Sequence, residues 1–200
     1  MKALIIVDVQ NDFLPGGALA VPEGDQVIPA INQLSVEFDL VFTSQDWHPP
    51  NHCSFAASHP NKKIGDRILI DGQEQILWPV HCVRNTYGAE LAAALHPKVI
   101  AGGVRIGKGT HDRVDSYSCF FDNHRKRPTG LETLLREHDA SDLTIVGLAT
   151  DYCVKATVLD ARDLGFAVTV HENACRAVNL SPVDGANALA AMRDAGVRLV

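Results

Sequence analysis

LTIVGLATDYCVKATVLDARDL, residues Leu143 to Leu164, decides how the chain folds. Leu143 to Leu148 is a continuous apolar run with β-branched residues, the pattern of a strand buried on both faces. Tyr152 to Leu164 then spaces Val154, Val158, Ala161 and Leu164 helically and stops at Gly165. Ala149, Thr150 and Asp151 leave room only for a tight strand-to-helix turn, with Thr150 or Asp151 as the expected N-cap. Cys153 therefore falls in the first turn of a helix at the carboxyl end of a strand. Backbone N–H groups and the positive helix end converge there, which favours a thiolate and would receive an oxyanion formed beside the sulfur. A small apolar core residue is the bland alternative for any cysteine. The turn position makes Cys153 the candidate nucleophile.

The same alternation extends outward. Ala3 to Val9 reads as a strand interrupted by Asp8, a carboxylate that is costly to bury unless it is paired or functional. Gln10 to Ala18 is a Gly/Pro turn. Residues 25 to 37 carry a helical face, and Asp39 to Thr43 forms a third strand. From Ser44 to about Tyr87 the chain is irregular, with short order expected at Arg67 to Ile70 and Gln75 to Leu77. Its two tryptophans and four histidines argue for an active-site loop rather than disorder. Glu90 to Leu95 reads as a short helix, with strands at Lys98 to Ala101 and Val104 to Ile106. Gly107-Lys108-Gly109 sets a lysine just past the latter. Asp112 to Pro128 is a second irregular insert, and Gly130 to Glu137 a helix. Phe166 to Val170 and Val197 to Val200 are the remaining strands, separated by a helix from Ser181-Pro182-Val183-Asp184 to about Asp194.

Alternating strands and helices predict a parallel sheet covered on both faces, within one domain over residues 1–200. Ligands of such sheets bind at the carboxyl edge, where Asp8, Lys108 and Cys153 would meet. The 46% hydrophobic and 21% charged fractions are ordinary for a globular chain, and a net charge of −6 without blocks of like sign gives no nucleic-acid footprint. Five cysteines do not suggest a disulfide framework, and a reduced, cytoplasmic setting is expected. The apolar run before Asp8 is too short for a signal peptide, and no run is long enough to span a bilayer.

Two constellations carry chemistry. A carboxylate near a thiol can take its proton and return it to a leaving group, while a lysine stabilises the anionic cluster. Asp8, Lys108 and Cys153 supply that set. Asp46-Trp47-His48, followed by His52, Ser54 and the His81 of Trp78-Pro79-Val80-His81, offers one carboxylate with two or three imidazoles. That donor set suits zinc, iron or manganese with positions left open.

Five segments, ALIIVDVQNDFLPGG, QDWHPPNHCSF, LWPVHC, IGKGTHDRVDSYS and GLATDYCV, together resemble the nicotinamidases of the isochorismatase-like cysteine hydrolase superfamily. The resemblance runs in order over nearly the whole chain. It implies a three-layer α/β sandwich, an about six-stranded, mainly parallel sheet with helices on both faces, with the metal-loop insert at about 44–87. It implies Asp8, Lys108 and Cys153 as catalytic residues, with the backbone N–H groups of Ala149 and Cys153 as oxyanion donors and a cis peptide between Leu148 and Ala149. It further implies a divalent metal, zinc foremost and iron or manganese as alternatives, on Asp46, His48 and His81. His52 matches a ligand in only some members, and Ser54 one that acts through water. Phe13, Trp78, Tyr117 and Tyr152 would wall the substrate ring. The implied activity is hydrolysis of nicotinamide to nicotinate and ammonia through a thioester, in NAD salvage. The small molecule is the implied partner, a homo-oligomer is left open, and neither nucleic acid nor membrane is expected. A superfamily amidase acting on a carbamoyl or ureido compound is the rival enzyme. A catalytically silent metal-binding protein is the rival outside catalysis.

Overall fold

A computed structural model describes residues 1–200. The first strand is β1, Lys2–Val7, and helix α1, Val27–Ser35, follows an irregular turn. Next come β2, Leu40–Asp46, and an antiparallel hairpin of β3, Arg67–Ile70, and β4, Gln73–Ile76. Helix α2, Pro97–Gly102, leads into β5, Val104–Lys108, and α3, Leu131–Glu137, into β6, Asp142–Leu148. The chain closes with α4, Lys155–Asp163, β7, Ala167–Arg176, α5, Asp184–Asp194, and β8, Arg198–Leu199.

Six strands form one sheet in the order β5-β2-β1-β6-β7-β8, and every pairing is parallel. Parallel neighbours need crossovers, which are right-handed almost without exception. The chain leaves β1 towards one edge through α1 and leaves β6 towards the other through α4, so the two helices cover opposite faces. The central strands carry no polar alternation because both faces are buried: Ala3 to Val7 and Leu143 to Leu148 are all inaccessible or nearly so. Strand order reverses between β1 and β6. The crevice beyond their carboxyl ends is where such sheets take ligands.

Several elements differ from the sequence reading. Lys98 to Ala101 is helical rather than extended. Pro97 stands at the first helical position, and His96 Nδ1 accepts the Lys98 N–H at 3.1 Å, a start signal that outweighs a short apolar run. Glu90 to Leu95 is not a helix, because its backbone pairs elsewhere: the Asn11 N–H donates to Glu90 O at 3.0 Å and the Ala92 N–H to Val9 O at 2.9 Å. β2 continues through Ser44, Gln45 and Asp46, and β7 runs on to Arg176. The turn after β6 is wide, one π-type turn over Thr150–Val154, so regular α4 begins only at Lys155. Neither Thr150 nor Asp151 caps it. The peptide between Leu148 and Ala149 is cis.

Candidate active site

Asp8 leaves β1 in the left-handed region, with φ 49°, and is wholly buried. Its N–H donates to Ser44 Oγ at 3.2 Å, and the Ser44 hydroxyl donates to Asp8 Oδ1 at 2.6 Å. Asp8 Oδ2 has the Lys108 ammonium at 2.8 Å. Lys108 ends β5 directly opposite Asp46 at the end of β2, so parallel register brings ammonium and carboxylate together. Lys108 Nζ also donates to Ser116 O at 3.0 Å and lies 3.4 Å from Cys153 Sγ. Gln10 brackets the Asp46 backbone: its Nε2 donates to Asp46 O, and the Asp46 N–H donates to its Oε1, both at 2.8 Å. Asp8, Asp46 and Cys153 thus offer acidic atoms within 4.8 Å of one another, all buried.

Electrostatics set the resting protonation. Burial lowers the Lys108 pKa, but Asp46 and Asp8 outweigh it and hold the group well above its ordinary value, a permanent ammonium. Burial raises the Asp8 carboxyl, Lys108 opposes, Asp46 adds, and the net direction is upward. Burial also pushes the Cys153 thiol well above its ordinary value; Lys108 works against this and the two carboxylates work with it. The resting sulfur is therefore a neutral thiol, not the thiolate that the helix-start argument favours. Burial, reinforced by two carboxylates, outweighs a partial dipole charge at this depth. The adjacent acid, whose own value is raised, is suited to receive its proton.

On the other side of Asp46 stand His48 and His81, their Nε2 atoms 3.5 and 3.8 Å from Asp46 Oδ2. His48 Nδ1 pairs with Gly109 O at 2.9 Å, and His81 Nδ1 with Pro79 O at 2.8 Å. A carbonyl accepts only from a protonated nitrogen. Nδ1 of each ring therefore carries a proton, which leaves Nε2, turned into the set, as the atom that can ligate, the arrangement second-shell partners give metal-binding histidines. Two carboxylates share one ammonium here, and burial of the surplus negative charge calls for a cation. Asp46, His48 and His81 fit a divalent metal on both counts.

The structure groups His52 with His48 and Asp115 instead. His52 Nδ1 accepts the Ser54 N–H at 3.3 Å and sits 2.7 Å from Ser54 Oγ, so the ring proton is on Nε2 and the Ser54 hydroxyl is occupied by His52. Burial is the main cause that lowers the His52 pKa to about 4, which keeps the ring neutral.

Phe13, Trp78, Tyr117 and Tyr152 all line a pocket of about 340 Å³ that reaches Cys153, Asp46 and His81. Trp78 and Tyr152 meet edge to face at 4.9 Å, and Trp78 Nε1 donates to Tyr117 Oη at 3.1 Å. Sequence reasoning missed Leu19, Asp115 and Val178, which complete the lining. Asp115 lies inside the quoted RVDSYS stretch, but nothing in the periodicity marks Leu19 or Val178.

Fold and site together define the class. The chain belongs to the isochorismatase domain family, whose family model matches residues 2–200. Within that family it is similar to the nicotinamidase of Escherichia coli K12, at 49% identity over 99% of this chain and 93% of that one. The structure of the yeast nicotinamidase bound to the inhibitor nicotinaldehyde superposes with a TM-score of 0.94, at 33% identity over 100% of this chain and 99% of that one. A pyrazinamidase of Pyrococcus horikoshii in complex with zinc does so at 0.80, with 37% identity over 100% and 98% of the two chains.

Proposed function

We propose that this chain hydrolyses nicotinamide to nicotinate and ammonia, with Cys153 as nucleophile. The carrying observation is one buried cluster of thiol, carboxylate and ammonium opening onto an aromatic pocket. Asp8 takes the Cys153 proton as the sulfur attacks the carboxamide carbon. Lys108 stays charged throughout and offsets the anionic character of Asp8 and the sulfur. The N–H groups of Ala149 and Cys153 are proposed to receive the tetrahedral oxyanion. Asp8 returns the proton to the departing amine, so ammonia leaves and a thioester remains. Asp8 then takes a proton from the attacking water, nicotinate is released, and the proton passes back to the sulfur. Phe13, Trp78, Tyr117 and Tyr152 hold the ring and exclude bulk water. Held by Asp46, His48 and His81, a divalent ion, zinc foremost with iron or manganese as alternatives, would supply a Lewis-acid partner for the pyridine nitrogen. The zinc-bound relative supports the metal, and the nicotinamidases among the relatives support the substrate. A cytoplasmic setting is part of the reading and is supported by five cysteines that are all free thiols. No helix is long and apolar enough to cross a membrane.

Ammonia release from nicotinamide by reduced, metal-loaded protein tests the reading, with Cys153→Ala alongside. The expected result is turnover by the parent and a loss of several orders of magnitude in the variant at unchanged metal content. Release from a ureido or carbamoyl compound but not from nicotinamide would overturn the substrate.

A further inference from the structure

We propose that Asp151 is a positioning residue that holds the Val178 segment in place as a wall of the pocket, a proposal that rests on the nicotinamide reading for its choice of substrate. Asp151 lies in the wide turn after β6, two residues before Cys153. Its carboxylate is turned away from the helix it precedes. Oδ1 accepts the Val178 N–H at 2.9 Å and Oδ2 accepts the Asn179 N–H at 2.8 Å. These successive N–H groups belong to the segment between β7 and α5. A carboxylate that takes two N–H groups in parallel makes charge-assisted bonds, stronger than neutral ones and more exacting in geometry.

The far end of the segment has its own tie. Asn179 is in the left-handed region, with φ 54°, and its Oδ1 accepts the Gly185 N–H at 2.8 Å. A Cβ at Gly185 would lie 2.9 Å from Ala177 Cβ and 3.0 Å from Asn179 Oδ1, so the approach depends on glycine. Apolar burial holds only one point of the segment: Val178 is half-buried against the core, whereas Leu180 and Val183 are 53% and 55% exposed. Val178 is its member in the pocket lining, beside Cys153 and Tyr152. Backbone position is therefore fixed largely by polar ties, and the Asp151 tie begins in the same turn as Cys153. It fixes the spacing between pocket wall and sulfur. Asp151 itself acts through Val178 and not on the reacting atoms.

Steady-state hydrolysis of nicotinamide by the parent, Asp151→Ala, Asp151→Asn and Val178→Ala, combined with amide hydrogen exchange, tests this. Asp151→Ala should raise KM about tenfold, equivalent to ~1.4 kcal/mol, with kcat little changed and faster exchange at Val178 and Asn179. Asp151→Asn keeps one carbonyl acceptor and should recover part of the KM loss. Val178→Ala should raise KM while exchange at Asn179 stays slow. Parental exchange at both amides in Asp151→Ala, or a fall in kcat at unchanged KM, would overturn the proposal. Should the parent release no ammonia from nicotinamide, the substrate reading fails, and the exchange rates still decide whether the tie exists.

Discussion

Asp8 and Cys153 are both shifted towards their protonated forms, burial being the first cause for each. The Asp8 carboxyl is raised above 3.8 and the thiol is raised as well, so each group gives up a proton less readily than it would in water. A protonated Asp8 cannot accept the thiol proton. Turnover must then fall as pH drops through the raised Asp8 value, and the acid limb of kcat/KM should lie above 3.8. A pH profile of nicotinamide hydrolysis reads this directly, and a limb at or below 3.8 would count against Asp8 as base. Asp8→Asn should lose activity by orders of magnitude while keeping its fold by circular dichroism. The grouping of Asp8, Lys108 and Cys153 was legible because Asp8 and Lys108 interrupt or end strand patterns and Cys153 falls in the turn after one. Asp151 was not. A helix-start aspartate reads locally as a cap, whereas its actual partners are 27 and 28 residues further on.

Elements near the site depart from hydropathy because the site itself needs polar strand ends. The apolar pattern ends β2 at Thr43, yet Ser44, Gln45 and Asp46 continue it, all buried, since each finds a polar partner: Asp8 for Ser44, the Ala89 carbonyl for Gln45 and Lys108 for Asp46. Apolar periodicity cannot report a buried polar strand end. The turn after β5 shows how backbone holds His48, a proposed metal ligand. Gly109 has φ 61°, and a Cβ there would fall 2.3 Å from His48 Cε1. Gly109→Ala should therefore displace the His48 ring and lower metal occupancy, read as moles of metal per mole of folded protein. Full occupancy in that variant would contradict the placement of His48. β6 approaches β1 as closely at Gly147, where φ is 119° and a Cβ would meet Val7 O at 2.1 Å. Gly147→Ala should cost about 1–3 kcal/mol in backbone strain alone, measured by urea unfolding.

At the scale of the whole molecule the cluster is a store of unbalanced charge. Two carboxylates face one ammonium in a buried place, so binding a divalent cation should stabilise the folded state beyond its local contacts. Chelated protein should melt at a lower temperature than metal-loaded protein. Returning the metal at a free concentration about 100 times its Kd should restore roughly 2.7 kcal/mol, and a melting temperature indifferent to metal would remove the site from the folding balance. The sheet order was legible only in outline. Strand and helix alternation implied parallel pairing, but nothing local revealed that β1 lies between β2 and β6. That arrangement pairs Lys2 with Asp142 and Val7 with Gly147. Contacts so distant along the chain are slow to form. β1 takes its neighbour β2 from the first quarter of the chain but its other neighbour β6 from residues 142–148, so the strand that presents Asp8 is completed only by sequence far along the chain. A chain cut short before Cys153 carries all three proposed metal ligands, Asp46, His48 and His81, yet lacks the proposed nucleophile.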